Sequence, residues 1–224
     1  MIVKIKRQRT PETDAYWQHF TYNGPEHVTV SAVLDALNYT DDLFDTEGKP
    51  AERIRWECSC MQAVCGGCAM IINGVPALAC ATFADEVKGK DLVLEPLSKF
   101  PVVADLIVDR SIIYENLIHA NAYIEDYAAN NKRHHKQQYS VAKCLKCGLC
   151  LEVCPNYHPG GNFFGAVLAN ESYLIMSQSA DKKPQIIKEY KTHFGAGCSK
   201  ALSCQSVCPI GIETITSIMR MNRK

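Results

Sequence analysis

Apolar and polar positions alternate at the start of the chain, with Val3, Ile5 and Arg7 on one face and Ile2, Lys4 and Lys6 on the other. A period of two predicts a β-strand, and a less regular alternation over residues 16–22 predicts a second. Val30 to Leu37 fits one short helix with Thr29 or Ser31 as its N-cap. Met70-Ile71-Ile72 and Ala77-Leu78-Ala79 flank Asn73-Gly74. Asn-Gly between apolar runs predicts a hairpin, because both turn positions need positive φ. Leu92-Val93-Leu94, before Pro96, predicts a further strand. Then the period changes. Ile113, Leu117, Ala120 and Ile124 fall on one face of a helix. Gly160-Gly161, and Gly195 with Gly197, mark breaks around further helices, and Ile212, Ile215 and Met219 predict a last one. The pattern predicts an α+β chain of two domains, a small mixed sheet over 1–105 and a helical domain over 106–224.

Charge and composition narrow the function classes. Lys plus Arg is 24 and Asp plus Glu is 24, so the formal net charge is zero. A nucleic-acid binder would carry a basic excess, and no nucleic-acid partner is expected. Hydrophobic residues make up 47% and charged residues 21%, which is ordinary globular composition. No apolar run reaches the ~18 residues that span a bilayer, and the N-terminus lacks the apolar core of a signal peptide. The expectation is a protein of the cytoplasmic side, peripheral to the cell membrane and held there, if at all, by a partner. Lys132-Arg133-His134-His135-Lys136 reads either as solvated surface or as a docking patch.

The chain has 12 cysteines in 224 residues, and they fall in three groups. Without a secretory signal, clustered thiols point to metal before disulfides. Cys60-x4-Cys65-x2-Cys68 with Cys80 further on is the plant-type pattern for a [2Fe–2S] cluster. Three thiolates on one loop wrap the cluster, the fourth arrives from the hairpin, and Gly66 and Gly67 let backbone N–H groups approach the sulfurs. Zinc also takes four thiolates, but structural zinc sites usually present two knuckles and this group has one.

Cys144-x2-Cys147-x2-Cys150-x3-Cys154-Pro155 is the bacterial ferredoxin run, in which the fourth cysteine serves a different cluster. The third group supplies that cluster. Cys198, Ala201, Cys204, Cys208 and Pro209 stand opposite Cys144, Cys147, Cys150, Cys154 and Pro155, a pseudo-repeat offset by 54 residues. Exchange of the fourth ligands gives Cys144, Cys147, Cys150 and Cys208 to a [4Fe–4S] cluster. It leaves Cys154, Cys198 and Cys204 for the second. A methyl group cannot ligate iron, so Ala201 predicts a [3Fe–4S] cluster there, with a water-ligated four-iron cluster as the alternative. Cys58 is left over and reads more readily as a small buried hydrophobe than as a redox-sensitive thiol or spare ligand. No histidine spacing suggests a metal site, and His158, four residues beyond Cys154, is the one histidine placed near a cluster. His119 reads as a packed or surface residue. No GxGxxG or Walker motif is present, so no nucleotide or flavin site and no catalytic residue is expected in this chain.

Taken together, residues 60–70, Asn73-Gly74, Leu78-Ala79-Cys80, 144–155 and 198–209 resemble the iron–sulfur subunit of the succinate dehydrogenase and fumarate reductase family. The resemblance implies an N-terminal β-grasp, plant-type ferredoxin-like domain and an all-α bacterial ferredoxin-like domain. It also implies a partner flavoprotein carrying FAD and the dicarboxylate site, and a membrane anchor that binds quinone, often with haem. Electrons would pass between FAD and quinone through the three clusters, and the complex would work as a fumarate reductase. One departure stands out. Family members that oxidise succinate often carry tryptophan shortly after the position of Cys154 and histidine after that of Cys198, both near the quinone. Here Asn156-Tyr157-His158-Pro159 and Ser199 stand instead. The alternative is the same module serving a soluble flavoprotein reductase that uses no quinone.

Overall fold

The computed structural model describes residues 1–124 and 135–223, so Lys132, Arg133 and His134 lie outside the described residues. The chain divides into two compact units, Met1–Asp109 and Arg110–Lys224.

In the first unit, β1 (Ile2–Arg7) pairs antiparallel with β2 (Tyr16–Thr21). Helix α1 (Val30–Asn38) follows, and the Thr29 hydroxyl caps it by accepting from the Ala32 N–H at 3.3 Å. Strands β3 (Ala69–Ile72) and β4 (Val75–Leu78) form the hairpin, with Asn73 and Gly74 at φ 46° and 79°. The Asn73 side chain also donates to the carbonyls of Lys88 and Asp91 and accepts from Val93, which fixes the turn against β5 (Leu92–Glu95). Strand β5 runs parallel to β1, and the sheet order is β2-β1-β5-β3-β4. Val3, Ile5, Phe20, Val33, Leu34, Leu92 and Leu94 are fully buried and form its core with α1.

The alternation of β1 also buries a charge. Arg7 shares the inner face with Val3 and Ile5 and is 1% exposed. Its Nε lies 2.9 Å from Asp105 Oδ1, and its guanidinium donates to Gln18 Oε1 and to the carbonyls of Glu52 and Arg53. Asp105 occupies the turn, at φ 47°, of a hairpin the periodicity does not predict, β6 (Val102–Ala104) with β7 (Ile107–Val108). Its carboxylate accepts from the backbone N–H groups of Gln8 and Arg55. One buried ion pair therefore ties β1, this hairpin and the segment that leads into the first cysteine loop.

The second unit is helical: α2 (Ser111–His119), α3 (His135–Ala142), α4 (Leu149–Glu152), α5 (Gly165–Gln178), α6 (Lys183–Tyr190), a π-helical turn over Lys191–Gly195, α7 (Ser203–Ser206) and α8 (Thr214–Met221). Helix α5 packs against α2, α3, α4, α6 and α8, and is buried nearly all round. A helix without a polar face shows no stripe, so its sequence gives no single-face signal.

Two helices depart from the expected pattern. Helix α2 stops at His119 although Ile124 continues its apolar spacing. Asn121 turns left-handed at φ 51°, the Asn121 N–H bonds Ile118 O and the Ala122 N–H bonds Leu117 O. This is a Schellman stop with asparagine in the usual glycine position. Helix α8 buries Thr214, Ser217, Ile218 and Met221, while Met219 is 60% exposed. The expected face of Ile215 and Met219 is misphased because two of the buried positions are hydroxyls. Asn170 donates to Thr214 Oγ1 at 3.1 Å and Gln137 to Ser217 Oγ at 3.4 Å.

Candidate metal centres

The first cysteine group lies on the loop before β3. Met61, Ala63 and Gly66 are left-handed (φ 54°, 57° and 77°). Left-handed residues set among their neighbours turn successive N–H groups inward, making a nest for negative charge. The Gln62 and Val64 N–H groups reach Cys60 Sγ at 3.3 and 3.4 Å, the Ala63 N–H reaches Cys80 Sγ at 3.3 Å, and the Gly67 N–H reaches Cys65 Sγ at 3.5 Å. Cys80 follows β4 on a short 3-10 turn over Ala79–Ala81. The Ala79 N–H bonds Cys68 O at 3.0 Å, and this brings the Cys80 and Cys68 sulfurs to 3.3 Å.

The thiols differ in acidity for clear reasons. N–H groups of Gln62 and Val64 hold the Cys60 thiol down at about 7. Burial pushes Cys68 up to about 12. The Cys68 and Cys80 sulfurs face each other across the loop. Among the described residues, no three His, Cys, Asp or Glu side chains group to hold a single ion. A cluster needs no such triad: four thiolates on two irons give two per iron, and in a cube each iron takes one. The donor set and the nest fit a cluster. Cys58 corrects the expectation of a buried hydrophobe, because it is exposed. It precedes the nest, outside the sheet core.

The second and third groups repeat in the backbone as well as in the spelling. Helices α4 and α7 each span four residues and stand 54 positions apart, the offset of the cysteines. Lys146 and Lys200 are left-handed at φ 53° and 60°, and so are Gly148 and Leu202 at φ 87° and 59°. The hydrogen bonds match in turn: Leu151 N–H to Gly148 O answers Gln205 N–H to Leu202 O, and Tyr157 N–H to Cys154 O answers Gly211 N–H to Cys208 O.

Cys144, Cys147, Cys150, Cys204 and Cys208 line one cavity, with Lys146, Asn170 and Thr214 among the polar walls. Burial raises the thiols of Cys144 and Cys150, and takes Cys147 up to about 11. Burial thus disfavours the thiolate form of Cys144, Cys147 and Cys150, whereas a bound metal deprotonates its thiol ligands outright. This donor set therefore fits a cluster too. Burial raises the Cys204 thiol, and Cys154 and Cys198 add to the rise. Ala201, the counterpart of buried Cys147, is exposed. The Asn156 side-chain amide donates to the Gly197 carbonyl and ties the Cys154 loop to the Cys198 loop. A Cβ at Gly197 would lie 2.4 Å from the Phe163 ring, so only glycine allows that approach. His158 is exposed beyond these thiols, and His119 packs edge-on against Phe164 and His193.

Sequence reasoning missed Lys146 and Glu171. The Lys146 ammonium is ion-paired with the Glu171 carboxylate on α5, with side-chain exposures of 17% and 11%. Burial opposes the charge of Lys146, but Cys144 and Glu171 outweigh it and hold the ammonium above its ordinary value. The signal was a glutamate inside the apolar stretch Gly165-Ala-Val-Leu-Ala-Asn-Glu.

Comparison with known proteins agrees with this architecture. Residues 2–115 match the family model described as a 2Fe-2S iron-sulfur cluster binding domain, and residues 140–212 match that of a 4Fe-4S dicluster domain. The succinate dehydrogenase iron-sulfur subunit of Bacillus subtilis is 29% identical over 98% of this chain and 90% of its own length. The fumarate reductase iron-sulfur subunit of Escherichia coli is 30% identical over 94% of this chain and 87% of its own. Among solved structures, a chain of the Mycobacterium smegmatis Sdh1 complex in the apo form shares the fold, with a TM-score of 0.74 at 22% identity, covering 98% of this chain and 94% of that one.

Proposed function

This chain belongs to the family of iron–sulfur subunits of succinate dehydrogenase and fumarate reductase, and from that premise we propose that it carries electrons between a partner flavoprotein and a quinone pool through three clusters. Cys60, Cys65, Cys68 and Cys80 hold a [2Fe–2S] cluster. Cys144, Cys147, Cys150 and Cys208 hold a [4Fe–4S] cluster, and Cys154, Cys198 and Cys204 hold a [3Fe–4S] cluster. When bound, these groups accept and release single electrons. The chain keeps the thiols in place, and its N–H nest meets the negative charge of the first site. The FAD, the fumarate or succinate site and the dicarboxylate chemistry lie on the partner flavoprotein. A membrane anchor supplies the quinone, and the complex works as a fumarate reductase. Among the described residues, no helix is long and apolar enough to cross a membrane.

The observation that carries the reading is the double turn of α4 and α7, in which every cysteine has its counterpart except Cys147, where Ala201 stands. Purification in mild detergent with identification of the bound subunits tests the reading. A flavin-bearing subunit and a hydrophobic anchor are expected, and recovery without any flavoprotein would overturn it. The second reading, a soluble reductase without quinone, is favoured by one contact. Asn156 spends its amide on the Gly197 carbonyl, where family members that oxidise succinate present tryptophan near this point. A flavoprotein recovered without an anchor would decide for it.

A further inference from the structure

Lys146 and Lys200 occupy the same left-handed position in the two halves of the repeat, yet only one is turned inward. Lys200 is exposed. Lys146 lines the cavity of Cys144, Cys147, Cys150 and Cys208, and Glu171 meets its ammonium from α5. The turn therefore forms without a buried lysine, and the burial of Lys146 belongs to its pairing with Glu171. A buried ion pair is weak as a stabilising device, because apolar residues of similar size serve as well. Beside a redox centre it does something that apolar residues cannot.

We propose that the Lys146–Glu171 pair sets the reduction potential of the Cys144, Cys147, Cys150 and Cys208 site, with Lys146 raising it and Glu171 moderating that rise. The proposal rests on the four-iron occupancy given above. Reduction adds one electron to a centre already held by four thiolates, so the reduced state gains most from a nearby cation. Potentials of such clusters respond to net charge and to solvent exposure. Lys146 is the cation in the cavity wall and is screened little by water, since charges acting through protein interact more strongly than through solvent. Glu171 carries the opposing charge, and it acts on Cys144 as well as on the ammonium. Arg110 also acts on this site, through Cys147, and is common to all the variants below.

The test is potentiometric titration of the purified complex, following the electron paramagnetic resonance of the reduced four-iron cluster. Lys146→Met is expected to shift the one-electron equilibrium about tenfold toward the oxidised form, a fall of about 59 mV. Glu171→Gln is expected to move it in the opposite direction, and Lys146→Arg to restore the original value. A role confined to packing would change stability and leave the potential in place. Single variants that keep the cluster but leave the potential unmoved, or that move it in the same direction, overturn the proposal. If Lys146→Met loses the cluster, Glu171→Gln decides alone: a rise supports the proposal and no shift overturns it. Absence of any four-iron signal in the unmutated complex overturns the occupancy, and this proposal with it.

Discussion

At the scale of single residues, the proposed three-iron occupancy of the third site turns on Ala201. Ala201→Cys restores the missing thiol at the position where its counterpart Cys147 stands. The expected outcome is about one more iron per chain, loss of the oxidised three-iron resonance and a lower potential, read by metal analysis and spectroscopic titration. An unchanged iron content would mean that the two turns do not correspond as their backbones indicate. The repeat of the two cysteine turns is legible from sequence, because its 54-residue offset recurs in helices α4 and α7. The left-over thiol is the opposite case. Cys58 had only the general preference of cysteine for burial behind it, and it is exposed.

At the scale of elements, the legible parts are those whose signal is local. Thr29 caps α1 by a bond over three residues, and Asn73-Gly74 closes its hairpin by backbone conformation alone. Thr29→Ala is expected to cost about 1 kcal/mol, seen as faster hydrogen exchange in α1. The illegible parts depend on distant partners. The Arg7–Asp105 pair joins positions at opposite ends of the first unit; the alternation of β1 puts Arg7 on the inner face, but nothing near it indicates the carboxylate that meets it there. Asp105→Ala leaves a guanidinium without its carboxylate and is expected to cost about 3–5 kcal/mol. Exchange at the β1 amides and a lower denaturant midpoint in the full protein would register it. A loss below about 1 kcal/mol would show that the carbonyls of Glu52 and Arg53 satisfy the arginine by themselves. Helix α8 shows the same limit in another form: its buried Thr214 and Ser217 are intelligible only once Asn170 and Gln137 are seen beside them.

At the scale of the whole molecule, the two units should respond differently to loss of metal. Strands β1 and β5 have an apolar core of their own, whereas α4 and α7 are four-residue helices, far shorter than helices that stand alone. Chelation is expected to release exchange protection in α4 and α7 first, with β1 and β5 holding theirs. Cys208→Ala is expected to reproduce that pattern for the four-iron site even with iron in excess. Retention of the four-iron signal in that variant would contradict the exchange of ligands between the two turns.

The convergence of Cys208 on a cavity begun by Cys144, Cys147 and Cys150 also imposes an order on biosynthesis. A chain growing at about 5–20 residues per second takes roughly 3–13 s to pass from Cys144 to Cys208. In the proposed assignment, Cys204 is made before Cys208, so the third site has all its thiols first. The site whose first ligand emerges earlier is the later to close. Throughout that interval three reduced thiols must be kept from oxidation, and iron delivered to them too early would meet an open fourth corner.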